Sequence, residues 1–133
     1  MTLAKKTIII LCEDIRKEIG NRVSLIGILD DDIVLPAIPH IFPKLCLFAM
    51  LKDVNNKILP TNLDIQIVSP GTEPVKLGIG FAPPKQKGKP KNATIGIEFS
   101  PFQVQCAGET RIEIRISGQE KPVITHKVSF KTK

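Results

Sequence analysis

LCEDIRKEIGNRVSLIGIL, residues 11–29, decides how this chain is read. Cys12, Glu13, Asp14 and Arg16 fall within five positions, between one apolar run and the next. Read as a helix, Asp14–Gly20 would set Ile15 and Ile19 four residues apart with Gly20 as a cap, but seven residues are too few for a helix to stand alone. Read as strands, the Gly20-Asn21 pair accepts positive φ and closes a tight hairpin onto Val23–Leu29. The hairpin is the better reading, and it makes the polar cluster the end of a strand.

The same grammar continues on both sides of the hairpin. Thr7–Cys12 is apolar throughout, which predicts a strand buried on both faces or paired centrally. Pro36, Pro39 and Pro43 forbid a regular central strand across 36–43. Lys44–Asp53 is again apolar on both faces. Leu63, Ile65 and Ile67 alternate with Asn62, Asp64 and Gln66 as a one-sided strand that stops at Ser69-Pro70-Gly71. Val75, Leu77, Ile79 and Phe81 form a further alternating row, as do Ile95, Ile97 and Phe99, and then Ile112, Ile114 and Ile116. After a Gly118 turn, Ile124, Val128 and Phe130 complete the set and bring His126 to their face. Roughly eight strands at this spacing predict an all-β chain, a single sandwich domain over residues 1–133, without a helix longer than two turns.

Composition agrees with strands and turns. The chain has 133 residues, with no Trp or Tyr, and its 11 Pro and 9 Gly punctuate many β-branched residues. No apolar run reaches the roughly 18 residues of a membrane helix. The apolar part of MTLAKKTIIILCEDI ends at Glu13 and Asp14, too short for a signal core, so it reads as the first strand of a cytoplasmic protein. Cys12, Cys46 and Cys106 are odd in number, lack a CxxC pair and sit in apolar surroundings, which predicts buried free thiols, with a disulfide between two of them as the lesser alternative.

The closing stretch, Gly108 to Gly118 followed by Val123–Phe130, resembles the final hairpin of immunoglobulin-like sandwiches, in which a glycine opens an alternating strand and a short polar turn returns the chain. The Cys–Trp–Cys core of antibody domains is absent. The opening CEDIR…GN.VSLIGIL, with the later PKLCLFA, resembles a family of small bacterial and phage-associated proteins of unknown function, over about the first fifty residues. That resemblance implies a sandwich of bacterial or phage origin and brings no activity with it.

Candidate chemistry is sparse. On a strand, Cys12, Asp14 and Arg16 share a face, and a carboxylate and guanidinium two residues apart can pair to pin the strand end. Cys12 lacks a neighbouring base to make it a nucleophile, since His40 and His126 are both remote in sequence. Asp30-Asp31-Asp32 invites calcium, but three successive carboxylates diverge and the spacing of a calcium loop is absent, so a solvated turn is expected. No zinc-ligand spacing, cofactor motif or triad appears, and the chain reads as a non-enzymatic protein-interaction module without metal or cofactor, its partner another protein or a second copy. An enzyme assembled from residues distant in sequence is the least favoured reading.

The competing reading is an anion or nucleic-acid binder. Lys85, Lys87, Lys89 and Lys91 occupy one proline-bounded loop without an acid, and without them 15 basic residues face 13 acidic ones, so the net +6 is local. No aromatic interleaves with these lysines, which denies base stacking and leaves only weak, non-specific phosphate contact. Any affinity for duplex DNA is therefore expected to follow salt with a log–log slope no steeper than about −3.6. Changing all four lysines to Ser should abolish it with little loss of stability; titration of labelled DNA at low and physiological salt reads both effects.

Overall fold

The computed structural model of the protein describes residues 3–20, 22–55, 61–81 and 92–133. Eleven strands are present among them, with no helix. In chain order they are β1 (Ala4–Glu18), β2 (Arg22–Leu29), β3 (Asp32–Leu35), β4 (His40–Phe42), β5 (Leu45–Val54), β6 (Thr61–Val68), β7 (Val75–Phe81), β8 (Ala93–Phe99), β9 (Phe102–Val104), β10 (Gly108–Ile116) and β11 (Ile124–Thr132). A four-stranded sheet runs β2-β1-β5-β8, a five-stranded sheet runs β3-β11-β10-β6-β7, and β4 pairs only with β9. All pairings are antiparallel except β3 with β11.

The register explains which side chains fill the core. Leu11 pairs Leu47 and Ile9 pairs Ala49, while Leu47 and Ala49 also pair Ile97 and Ile95, so these residues share one face of the four-stranded sheet. From the other sheet Leu63, Ile65, Ile67, Ile112, Ile114, Ile116, Val128 and Phe130 join them in a single apolar cluster. Burying these two faces against each other is the main stabilising term of the fold.

All eight expected strands exist, but the count is eleven, because β3, β4 and β9 were not anticipated. At three or four residues each they are too short to declare a period. The prolines kept their role: β4 sits between Pro39 and Pro43 and joins neither large sheet. The 11–29 stretch is a β1–β2 hairpin, with Gly20 at φ 82° in its turn; Asn21 lies outside the described residues. One expectation about burial needs correcting. Cys12 and Cys46 are buried and free, but Cys106 is exposed, on an irregular segment between β9 and β10 rather than on a core face. The alternating row of β7 is exposed at Val75 and Leu77, because β7 is the edge strand of its sheet.

Leu47→Ala, Ile65→Ala and Ile114→Ala remove side chains that are at most 1% exposed. Each should lower the free energy of unfolding by about 2–4 kcal/mol through lost burial and cavity formation. Leu77→Ala should cost less than about 1 kcal/mol. Urea titration followed by far-UV circular dichroism compares them.

Candidate functional site

Of the residues singled out by the sequence, Cys12, Asp14 and Arg16 lie where β1 outgrows its sheet. β1 pairs β5 from Ala4 to Cys12, and pairs β2 from Leu11 to Glu18. Beyond Cys12 the β1–β2 hairpin is therefore an arm with no third strand beside it. The arm does not run straight on. Ile10 pairs Phe48, and Phe48 pairs Gly96. A straight β1 would carry Ile15 roughly 17 Å past Ile10 along the strand. Instead Ile15 Cδ1 lies 3.5 Å from the place a Cβ on Gly96 would occupy. The arm is thus bent back across the outward face of the four-stranded sheet.

The bend has a local cause. Gly27, opposite Glu13, has φ 67°, and a Cβ there would stand 2.9 Å from Glu13 Cγ. Glycine supplies both the left-handed backbone and the room for Glu13 to lie across β2. The consequence is burial on a face that is otherwise open. Cys12, Cys46 and Phe48 point away from the main core, by register with one another, yet all three are buried.

An ion network fixes where the arm lands. Asp14 Oδ1 accepts from Lys44 Nζ at 2.7 Å, and Asp14 Oδ2 accepts from Arg16 Nε at 3.1 Å. Lys44 Nζ also lies 3.1 Å from Glu98 Oε1 on β8. The Asp14–Arg16 contact anticipated from sequence is present, and Lys44, its stronger partner, was missed. Nothing in the sequence links positions 14 and 44; only the β1–β5 register brings them together. The Lys44 hydrogen bond, then that of Arg16, holds the Asp14 carboxyl below its ordinary 3.8. Asp14 and Glu98 together hold the Lys44 ammonium well above its ordinary 10.5. Burial raises the thiol pKa of both Cys12 and Cys46.

Other polar groups are dispersed. On the outward face of the second sheet, Glu113 is buried between Arg115 Nη2 at 3.2 Å and Arg111 Nε at 3.5 Å. Beside them a shallow cleft of about 530 Å³ is lined by Asp64, Gln66, Lys76, Gly78 and Arg115. Its lining carries one carboxylate, Asp64, against two cations, Lys76 and Arg115, and Arg115 is already paired with Glu113. Of Asp30-Asp31-Asp32, Asp31 lies 3.4 Å from His126 Nε2 and Asp32 opens β3, so the three do not converge. No cluster of three or more His, Cys, Asp or Glu suited to a metal ion occurs among the described residues. His40 stacks edge-on against Phe42, and neither histidine reaches Cys12 by any hydrogen bond or ion pair. Lys85, Lys87, Lys89 and Lys91 lie outside the described residues.

Residues 7–129 match a family of unknown function, DUF6941, and the chain belongs to it. No curated protein matches. A solved β-glucosidase from Listeria innocua, in complex with isofagomine, is similar over 95% of this chain at 11% identity and a TM-score of 0.40, and the chain spans 16% of that enzyme's length. No helix among the described residues is long and apolar enough to cross a membrane.

The network makes stability depend on pH in a stated direction. A carboxyl lowered on folding contributes stability that is whole above its ordinary 3.8 and is lost as pH falls through the folded value. An ammonium raised on folding contributes stability that is whole below 10.5 and is lost only as pH rises through its folded value. Asp14→Asn should therefore lower Tm at neutral pH, and the gap to the parent should close at acidities below pH 3.8. Scanning calorimetry across the acid range checks it; a gap independent of pH would show that the Asp14 charge has no part.

Proposed function

We propose that this member of the DUF6941 family is a non-enzymatic immunoglobulin-like β-sandwich that binds another protein through the β1–β2 arm and the free edge of β2. One observation carries the reading. Of the eight large apolar side chains left exposed among the described residues, four, Ile19, Val23, Ile26 and Ile28, sit on this one hairpin, with Ile19 at its tip 90% exposed. Scattered exposed apolar residues need no explanation, but a concentration on one hairpin marks a contact surface.

β2 is also the outermost strand of its sheet, so one row of its backbone donors and acceptors faces outward. Such an edge pairs readily with an added strand, whose alternate side chains would rest against Ile26 and Ile28. Support for the sandwich is the pair of sheets closing on one core, together with the β10–β11 hairpin and its Gly118 turn at φ 87°. Free thiols suit a reducing compartment, so the reading places the protein in a bacterial cytoplasm.

Position-specific photocrosslinking in the native host tests it. A photoreactive side chain at Ile19 or Ile28 should give a discrete protein adduct, and one at the exposed Lys127 on β11 should not. Adding Ile26→Asp should remove the adduct with little change in Tm, because exposed substitutions seldom move stability by more than about 0.5 kcal/mol. Equal adducts from all three positions, or none from the arm, would defeat the proposal.

A further inference from the structure

Cys12 and Cys46 are direct register partners on neighbouring antiparallel strands. Such partners hold their Cβ atoms on one face at about 4.5–5.5 Å, close to the roughly 3.5–4.5 Å that a disulfide requires. Both thiols are free, and both are buried although their face of the sheet is the outward one. The cover is the arm. Cys46 Sγ donates a long hydrogen bond of 3.9 Å to the carbonyl oxygen of Glu13, the residue opposite the Gly27 kink. Asp14, the next residue, is tied to Lys44, two residues before Cys46. The two sulfurs are therefore adjacent to each other and sealed by a segment whose hinge and fastening are both identified.

We infer that Cys12 and Cys46 are a redox dithiol that closes to a cross-strand disulfide by exchange with a small-molecule disulfide of the glutathione class, with the β1–β2 arm as the gate above it. The chemistry balances. One cysteine, deprotonated, attacks a sulfur of the small disulfide; that S–S bond breaks, a mixed disulfide forms and one small thiolate leaves. The second cysteine, deprotonated, attacks the protein-side sulfur of the mixed disulfide, forms the Cys12–Cys46 bond and expels the second small thiolate. Both cysteine protons end on the two small thiols, and the two electrons lost by the protein reduce the reagent. With the arm down the thiols are inert, because burial disfavours the thiolate and excludes the reagent. Lifting the arm removes both obstacles at once without separating β1 from β5.

The test uses the Cys106→Ser protein, which removes the exposed thiol. Incubated with oxidised glutathione under folding conditions, it should lose two hydrogens in mass and yield a peptide joining Cys12 to Cys46. Adding Asp14→Asn, which unfastens the arm, should accelerate that loss several-fold, while Cys12→Ser should stop at a mixed disulfide between Cys46 and glutathione, with no intramolecular bond. Circular dichroism establishes that each variant remains folded. If a variant is not, Lys44→Gln replaces Asp14→Asn as the unfastened form. Closure only at the rate of global unfolding, measured in denaturant, overturns the gate. Free alkylation of both cysteines in the unfastened protein without their joining overturns the dithiol.

Discussion

β1 is fifteen residues long, and its neighbour β5 pairs it only as far as Cys12. The rest of the structure's character follows from that mismatch. Past Cys12, a straight hairpin would present both faces and an unpaired edge to water, a poor state for Ile15 and Leu25. Bending at Glu13 converts the liability into cover: the arm lies over Gly96 and helps to shield Phe48, Cys12 and Cys46. Gly27 is the residue that permits the bend, since any side chain there would meet Glu13 and resist the left-handed backbone.

The two sheets solve their outward faces differently, and the sequence encodes the difference. β6 and β10 alternate, so their outward sides are polar and carry Asp64, Gln66, Arg111, Glu113 and Arg115. β1 and β5 are apolar on both sides where the arm lies over them, at Cys12, Cys46 and Phe48. A continuous apolar run in an antiparallel strand is thus a statement that something covers both faces. Here the cover is supplied by the strand's own continuation.

That is why the strand pattern was legible and the site was not. Alternation, turn residues and the Gly20 hairpin are local, and every long strand could be read from them. β3, β4 and β9 escaped because three or four residues do not establish a period, and Cys106 escaped because an apolar neighbourhood in sequence says nothing about exposure on an irregular segment. The Asp14–Arg16 contact was readable because its members are two residues apart on one strand. Lys44, Glu98 and the facing of Cys12 on Cys46 depend on which strands become neighbours, and that information lies in pairing rather than in spacing.

What holds the arm can be divided between two forces. Exposed ion pairs contribute little each, with a median near 0–1 kcal/mol, and the Arg16 and Lys44 side chains are substantially solvated. Apolar contact is the larger share: Phe48, Cys12 and Cys46 would all return to water if the arm lifted. The ion network therefore adds a modest fastening and also chooses the arm's resting place, because one ammonium satisfies Asp14 and Glu98 together only when β1, β5 and β8 are in this arrangement. An element held by modest apolar cover and positioned by charge is cheaper to open than the core beneath it, and the one thing it uncovers on opening is a pair of thiols already facing each other.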